Sequence, residues 1–381
     1  MSKKLWCAAY YFPGYHAEQR NELIHGPNWS EWELMKCSRP RFEGHRQPKV
    51  PLHGWNDESD PNEMAIKIDD AVNHGIDAFV FDWYWYDGPY LQAALDKGFL
   101  QAKNRKNMKF ALMWANHNWR NFHPGGRNID YSVTFQSVAT LETVETIWDY
   151  IVDRYFTDPY YWKVNGKLYF SIYSVNRFIL QLGGTDKARY ALDLLREKVQ
   201  KRNLGEMHIN GIWFDMLEED AAFLECPQEE WHTKLGIDSY TSYNSISITQ
   251  AWKESAKTFP RVDYATSCLQ YRKIAEKAIK KLPAPYYPVM TVGWDSTPRT
   301  IQSDTFLLGN YPWFAVMEPN VEVFENSLAE LKKLIKTKSN SSNEEILFIN
   351  AWNEWSEGSY LEPDTYHGYA FLEAVKKVMN K

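Results

Sequence analysis

Residues 60–85 have the sequence DPNEMAIKIDDAVNHGIDAFVFDWYW, which predicts a helix followed directly by a buried strand. Asp60 is the predicted N-cap, Pro61 the first helical residue and Glu63 the capping-box partner of Asp60. The helix then carries apolar residues at helical spacing and ends at a glycine: Met64, Ile68, Ala71, Val72 and Gly75. The strand is nearly continuously apolar, as expected for a parallel strand covered on both faces. The stretch therefore predicts one helix–strand unit of an α/β fold.

The same alternation recurs along the chain of 381 residues. The strand-like runs are LWCAAYYF, DAFVFDWYWY, KFALMWAN, KLYFSIYS, INGIWFD, GIDSYTSY, YYPVMTVGW and EILFINAW. Two further apolar faces at helical spacing are Leu141, Val144, Ile147, Trp148, Ile151 and Tyr155, and then Phe324, Leu328, Leu331 and Ile335. Eight strands alternating with helices predict a single (β/α)₈ TIM barrel over residues 1–381, with long decorated loops near residues 13–60 and 216–236. A doubly wound sheet is the alternative, but no G-x-G-x-x-G follows the first run.

Composition and charge exclude several classes of protein. A formal net charge of -6 gives no electrostatic reason to expect nucleic acid or acidic lipid as a partner. No run approaches the 18 or more apolar residues of a membrane span, and the N-terminus lacks the apolar region of a secretory signal. The cysteines, Cys7, Cys37, Cys226 and Cys268, are scattered without a C-x-x-C pair, so we interpret them as reduced thiols. We therefore expect a cytoplasmic protein.

Aromatic and polar residues cluster where the predicted strands end, and in a TIM barrel these ends form one rim where active sites lie. The predicted substrate-binding residues are Tyr11, Glu31, Asp82, Trp83, Trp85, Trp114, Asn116, His117, Trp119, Tyr240, Trp294, Asp295, Arg299, Asn353 and Trp355. Further residues at the same strand ends are Tyr10, Tyr15, Tyr84, Asn118, Trp213, Asp215 and Tyr243. Rings can stack on sugars while amides and carboxylates bind hydroxyls, so the rim predicts a carbohydrate site.

Other interpretations of these residues stay open. Any one ring could pack in the barrel core or under a loop instead of binding a sugar. Asp82 is either a third catalytic carboxylate or a structural acid inside the barrel mouth. Glu31 is either a substrate contact or a loop anchor.

The last predicted strand runs into INAWNEWSEGSYLEPD, residues 349–364, where three glutamates, Glu354, Glu357 and Glu362, lie within nine residues beside tryptophans. Glycoside cleavage uses two carboxyl groups, one to protonate the leaving oxygen and one to act on the other face of the sugar. Glu354 and Glu357 are three residues apart, close enough in a tight turn to face one pocket. The apolar neighbours Trp352 and Trp355 are expected to raise the pKa of one of them by desolvation. In other contexts an E-x-x-E pair is usually a solvated helix face.

We expect no metal and no cofactor. Ten histidines are scattered without H-E-x-x-H spacing, so no metal-ligand pattern is recognised. The sequence has neither an Asp-x-Asp that could hold the metal of a nucleotide sugar nor a Gly-rich phosphate cradle.

Several blocks of the sequence resemble the glycoside hydrolase family 99-like proteins, a group also labelled WbsX-like. The blocks are NAWNEWSEGSYLEPD, AYYFPGYH, NWSEW followed by FEGHRQPKVP, GIDAFVFDWYWYDG, WANHNWR, GWDSTPR and YHGYAFLEAV. They extend from residue 8 to about residue 376, which is nearly the whole chain. The resemblance implies a (β/α)₈ barrel, like that of the family 99 endo-acting α-mannosidases and mannanases.

The resemblance also implies a mechanism and roles for the carboxylates. Family 99 enzymes retain configuration and are thought to form a 1,2-anhydro sugar, which implies Glu354 as the base and Glu357 as the acid/base. Ser356 stands where family 99 proper carries a histidine, and His117 stands within a motif that differs from the common WbsX-like one, so the resemblance does not give the sugar. We expect a retaining glycoside hydrolase acting on an α-linked oligosaccharide or polysaccharide. The alternatives are a glycosyltransferase of polysaccharide biosynthesis and a non-catalytic glycan-binding barrel.

Overall fold

Eight parallel strands follow one another around a barrel, and each overlaps a run that the sequence predicts, although the strand Met207–Ile212 begins two residues before its run. The computed structural model describes residues 5–121, 123–125, 132–213, 226–308, 315–338 and 344–380. The barrel strands are β1 (Leu5–Tyr11), β2 (Ala78–Trp85), β3 (Lys109–Trp114), β4 (Lys167–Ile172), β5 (Met207–Ile212), β6 (Ser239–Thr241), β7 in the two parts Tyr286–Tyr287 and Val289–Thr291, and β8 (Glu345–Asn350).

The circle of strands closes through the interrupted strand β7. Consecutive strands pair in parallel from β1 to β6, and β8 pairs with β1. The first part of β7 pairs with β6 and the second part with β8, on either side of Pro288. Proline has no N–H to donate, but its carbonyl accepts a hydrogen bond of 2.8 Å from the backbone N–H of Phe348, which continues the ladder. The predicted (β/α)₈ barrel is confirmed.

Helices and short turns occupy the connections. The helices are α1 (Gln19–His25), α2 (Trp32–Cys37), α3 (Pro61–Asn73), α4 (Leu141–Ile151), α5 (Val175–Leu182), α6 (Thr185–Lys201), α7 (Trp231–Leu235), α8 (Gln250–Lys253), α9 (Ser255–Thr258), α10 (Tyr264–Lys281), α11 (Val321–Lys338) and α12 (Ala370–Met379). Short antiparallel pairs decorate the rim, among them Trp119–Arg120 with Val133–Phe135 and Asn353–Glu354 with Ser359–Tyr360. The long first connection contains α1 and α2. In the described part of the chain, no helix has the length and apolar character needed to cross a membrane.

Helix α3 begins where the sequence predicts, but one predicted contact at its N-terminus is wrong. The Asp60 side chain accepts a hydrogen bond of 2.7 Å from the N–H of Asn62, so Asp60 is the N-cap. Glu63 does not complete a capping box, because its carboxylate accepts from the side chain of Asn56 at 3.2 Å. The N–H of Asp60 donates instead to the carbonyl of Asp57, and the cap is therefore supported by the preceding loop.

Aromatic side chains fill much of the barrel interior. Tyr10 stacks against Phe348 with ring centroids 5.3 Å apart, and Trp162 lies 4.9 Å from Tyr169. All four of these side chains are fully buried, and burying a large apolar side chain contributes about 1.5–3 kcal/mol. The high aromatic content of the chain is thus used partly for packing. All four cysteines are free, in agreement with the prediction.

Candidate active site

A cavity of about 320 Å³ opens at the carboxyl ends of the strands. Its walls come from residues at the ends of β2 and β3 and from residues that follow β1, β3, β4, β6, β7 and β8, so the barrel itself positions them. The lining residues are Phe12, Asp82, Tyr84, Met113, Ala115, His117, Asn118, Trp119, Arg120, His123, Tyr173, Arg177, Tyr243, Arg299, Glu354 and Glu357. The sequence predicts this end of the barrel as the site.

A tight turn after β8 places Glu354 and Glu357 together. Asn353–Glu354 pairs with Ser359–Tyr360, and residues 355–357 between them form a single 3₁₀ turn. Gly358 closes the turn with φ 65°, and a Cβ there would lie 2.6 Å from the Cβ of Asp295. The turn is also tied to the segment after β7, since the N–H of Asp295 donates to the carbonyl of Glu357 at 2.5 Å. Both the backbone conformation and the close approach require glycine at this position.

One guanidinium, that of Arg299, joins three carboxylates at the cavity, two of which line it. Its Nη1 lies 2.5 Å from Oε1 of Glu357, and its Nη2 lies 3.3 Å from Glu354 and 3.5 Å from Glu31. Its Nε donates to Oγ of Ser356 at 2.9 Å, and that hydroxyl in turn donates to Glu31. Burial opposes the charge of Arg299, but Glu357, Glu31 and Glu354 outweigh it and raise the pKa of the guanidinium. Arg299 therefore stays charged and organises the acids.

The two glutamates are held in a condition that favours protonation. Burial raises the pKa of Glu354 well above its usual value, and the neighbouring Glu357 adds to the rise. Burial also raises the pKa of Glu357, although Arg299 acts against it. The Glu354 side chain is 5% exposed and that of Glu357 is 14% exposed. Because one guanidinium faces several acids in a desolvated site, these carboxyls are protonated more readily than solvated carboxyls are.

Tyr243 links Glu354 to a further buried acid, Asp82. The Tyr243 hydroxyl lies 2.7 Å from Oδ2 of Asp82 and 3.0 Å from Oε1 of Glu354. The hydroxyl has one proton and can donate to only one carboxylate, so a proton on the other carboxyl completes the second bond. Burial raises the pKa of Asp82, as it does that of Glu354, which agrees with a proton on this side of the cluster. In the described structure, the buried Oδ1 of Asp82 has no hydrogen-bond partner and can accept from a substrate hydroxyl.

The structure brings only some of the predicted site residues to the cavity. Glu354, Glu357, Asp82, His117, Trp119 and Arg299 line it, and so do Tyr84, Asn118 and Tyr243. Residues of the predicted set that are absent from the lining are Tyr11, Glu31, Trp83, Trp85, Trp114, Asn116, Tyr240, Trp294, Asp295, Asn353 and Trp355. Glu31 still reaches the site through Arg299 and Ser356. Asp215 lies outside the described residues.

Two asparagines that are predicted to bind the sugar form hydrogen bonds with the protein backbone through their side-chain amides. Asn353 accepts from the N–H of Phe12 at 2.8 Å and donates to its carbonyl at 2.7 Å. Asn116 makes the same pair of contacts with Ser174, at 2.7 and 2.9 Å. Each asparagine therefore fixes the backbone of a neighbouring strand end. A sugar-binding role for either remains a prediction without support from the cavity geometry.

Most of the predicted aromatic ligands pack against other rings. Trp114 contacts Trp148, Tyr240 stacks on Trp231, and Trp294 contacts Trp252. Trp83 and Trp85 lie against each other and against Tyr150, while Tyr11 packs on Phe79 and Phe81. The indole of Trp355 stacks on Tyr360 with ring centroids 3.7 Å apart. These rings pack outside the cavity lining.

The third acid of the 349–364 stretch, Glu362, is part of a buried ionic network. Its carboxylate accepts from the indole N–H groups of Trp352 at 3.1 Å and Trp355 at 2.6 Å. It also contacts the ammonium of Lys67, which lies 3.0 Å from Glu58. Because the two indoles flank Glu354 in sequence, the network positions the turn that carries the catalytic candidates.

Several lining residues are not among those that the sequence predicts. They are Phe12, Met113, Ala115, Arg120, His123, Tyr173 and Arg177. Tyr173 directly follows β4, so its place at a strand end was an available signal. His123 and Arg177 reach the cavity from a loop and from helix α5, and no motif marked them.

One group of side chains has the composition of a metal site among the described residues: His45, Asp295 and Glu318. Asp295 already contacts His45 at 2.9 Å, accepts from Gln47 at 2.6 Å and lies 3.3 Å from the ammonium of Lys49. Burial opposes ionisation of Asp295, but Lys49 and His45 outweigh it and lower its pKa. A cation would have to compete with the buried Lys49, so the donor set does not fit a metal ion.

We expect a chelator to leave the protein unchanged in fold and activity. The carboxyl pair can supply both acid and base without a Lewis acid. Incubation with EDTA, followed by a melting curve and a rate measurement, checks this. A rate that falls with EDTA and returns with one divalent ion would contradict it.

Comparison with known proteins places the chain in a family. The family model described as "Glycosyltransferase WbsX" matches residues 7–375. The chain belongs to this family. A relative in Xanthomonas campestris pv. campestris, the uncharacterized protein WxcX, is 25% identical over 384 residues, covering 98% of this chain and 49% of WxcX. The WbsX-family chain thus spans about half the length of the curated relatives it matches.

Solved structures with a similar fold are glycoside hydrolases. One, described as a glycoside hydrolase-like protein, aligns with a TM-score of 0.60 at 14% identity, covering 99% of this chain and 94% of that one. The GH99 endo-alpha-mannosidase from Bacteroides thetaiotaomicron aligns with a TM-score of 0.53 at 14% identity, covering 98% and 96%. The WbsX-family chain therefore shares the barrel fold of glycosidases, and the resemblance found in its sequence is confirmed.

Proposed function

We propose that this WbsX-family protein is a glycoside hydrolase that cleaves an α-linked glycan with retention of configuration. The observation that carries the proposal is the pair Glu354 and Glu357, buried on one turn after β8 and joined by Arg299 at the floor of a cavity. The cavity offers what a sugar needs: the ring of Trp119 and the polar groups of Asp82 and Asn118. The α-linkage and the retention follow the likeness to family 99 enzymes.

The proposed reaction has two steps, and both glutamates act in each of them. Glu354 takes the proton of the sugar's own 2-hydroxyl, and that oxygen attacks the anomeric carbon while Glu357 gives a proton to the leaving oxygen. Water then opens the 1,2-anhydro sugar, with Glu357 removing the proton of the water and Glu354 returning a proton to the 2-oxygen. Each carboxyl ends the cycle as it began, as general acid–base catalysis requires.

The contact between Arg299 and Glu357 sets a condition on this scheme. A guanidinium at 2.5 Å favours Glu357 as a carboxylate, while the acid of the scheme must carry a proton. Substrate binding must therefore loosen that contact before Glu357 can donate. The proton that the cluster holds near Tyr243 has to reach Glu357 at the same time.

A glycosyltransferase is the second candidate, because the family model carries that description. The two functions differ in the co-substrate. We would incubate the protein with a panel of α-linked oligosaccharides in one series, and with nucleotide sugars plus the same oligosaccharides in the other. Release of reducing ends without a nucleotide sugar supports the hydrolase, and elongation that needs a nucleotide sugar contradicts it.

Trp119 is expected to be the aromatic residue that contacts the sugar. It is half-buried, and unlike the other predicted tryptophans it lines the cavity. Trp119→Ala should weaken binding of an α-linked oligosaccharide by about 0.5–1.5 kcal/mol, the range of aromatic contacts. Trp85→Ala is the matched control, since that half-buried ring packs on Tyr150 outside the lining. Equal affinities of the two variants, measured by calorimetry, would assign Trp119 to packing.

A further inference from the structure

The cavity has a basic side as well as an acidic side. Glu354 and Glu357 follow β8, whereas Arg177 lies on helix α5 after β4, and Arg120 follows β3. In a closed barrel of eight consecutive strands, β4 lies across from β8 and β3 across from β7. The two arginines therefore face the carboxyl pair from the opposite side of the barrel mouth.

Arg299 and Arg177 both line the cavity, but they differ in their partners. Arg299 is surrounded by Glu31, Glu354 and Glu357, which balance its charge. For Arg177, no Asp or Glu of the described ranges forms an ion pair with the guanidinium. Its Nε is buried and makes no hydrogen bond with any described residue.

The surroundings of Arg177 make its charge costly. Burial lowers its pKa, and the like charge of Arg120 lowers it further. The nearby histidines cannot neutralise this charge, because a histidine carries either no charge or a positive one, and burial lowers the pKa of both His117 and His123. A half-buried guanidinium beside a second arginine is stabilised when an anion binds between them.

We propose that Arg177, with Arg120, binds an anionic group of the sugar ligand, either a carboxylate or a phosphate. This deepens the proposed function and rests on it, since the ligand occupies the same cavity as the carboxyl pair. The anion would lie on the side of the mouth away from Glu354 and Glu357, where it does not add to their charge. Such a group could come from a uronic acid, from a sugar phosphate or from the diphosphate of a nucleotide sugar.

The test compares neutral and anionic ligands of the same sugar. Binding of glucose, glucuronic acid, glucose 6-phosphate and UDP-glucose, and of mannose with mannose 6-phosphate, would be measured by calorimetry or NMR titration at low salt. We expect at least one anionic ligand to bind about tenfold or more tightly than its neutral counterpart, as a charge-assisted contact gives. The preference should shrink as salt is added.

Variants assign this preference to Arg177. Arg177→Gln should reduce the ratio of the two affinities to near one, and Arg177→Lys should keep part of it. Arg272→Gln is the control, because Arg272 pairs with Glu330 on an outer helix and should leave the ratio unchanged. Circular dichroism and melting curves confirm that each variant is folded. Equal binding of neutral and anionic ligands, or a preference that survives Arg177→Gln, would overturn the proposal.

The result can be read independently of catalysis. An Arg177-dependent preference for glucuronic acid or a sugar phosphate supports the anion site whether or not hydrolysis is detected. An Arg177-dependent preference for UDP-glucose alone supports the anion site as a diphosphate site and counts against the hydrolase. Failure of the anion site therefore leaves the proposed hydrolysis to be tested by turnover.

Discussion

Glu354→Gln and Glu357→Gln are each expected to lower turnover of an α-linked glycan by at least about 10²-fold. Glutamine keeps the shape of the side chain but can neither remove a proton nor donate one as an acid. Binding of the intact glycan should survive in both variants, because the amide preserves much of the hydrogen bonding around Arg299. Rates of reducing-end release and affinities from calorimetry check both parts.

The two variants should differ when the leaving group is changed. An aryl α-glycoside with a good leaving group needs little protonation, so it should partly rescue Glu357→Gln and leave Glu354→Gln inactive. Rescue of Glu354→Gln alone would reverse the roles and agree with the proton near Tyr243. Glu373→Gln serves as a control, since its carboxylate is 60% exposed on α12. Near-normal turnover in either active-site variant would show that the carboxyl pair is structural.

Glu362→Gln is expected to lower the free energy of unfolding by about 3 kcal/mol. The change removes a buried negative charge that contacts Lys67 and accepts from two indoles. Loss of one partner of a buried ion pair costs about 3–5 kcal/mol, and we expect the lower end because Lys67 keeps Glu58. Chemical denaturation with urea measures the change.

A surface variant separates this effect from the general cost of losing a charge. Glu197 pairs with Lys201 on the exposed face of α6, and we expect Glu197→Gln to leave the stability almost unchanged, because ion pairs on the surface contribute little. Equal stabilities of Glu362→Gln and Glu197→Gln would contradict the conclusion that the buried network positions the turn after β8.

The barrel could be predicted because local patterns and the overall fold agree. Several strands of the barrel are short, nearly continuous apolar runs, as expected for parallel strands covered on both faces. Even the broken strand β7 was recognised, although Pro288 interrupts its ladder. The predicted capping box at Glu63 does not form, because the side chain of Asn56, a residue of the preceding loop, donates a hydrogen bond to the Glu63 carboxylate.

The site could be predicted only to the level of strand ends. Successive side chains of a strand point to opposite faces, so only alternate residues can line the mouth. On β2, Asp82 and Tyr84 line the cavity while Trp83 and Trp85 pack outside it. A prediction from strand ends includes neighbouring residues together and therefore contains both sets.

Other features of the site depend on contacts between distant segments. The grouping of Glu31 with Arg299 joins residues 268 positions apart, and that of Tyr243 with Glu354 joins residues 111 apart. No spacing in the sequence encodes such pairs. The basic side of the cavity was missed for the same reason, since Arg177 is one arginine on an ordinary helical pattern.

The most direct test of retaining hydrolysis is the anomeric configuration of the first product. A ¹H NMR spectrum recorded within minutes of adding protein to an α-linked oligosaccharide shows which anomer appears before mutarotation. The proposed mechanism predicts that the α-anomer of the new reducing end appears first. Initial appearance of the β-anomer, or no cleavage of any α-linked oligosaccharide in the panel, would contradict it.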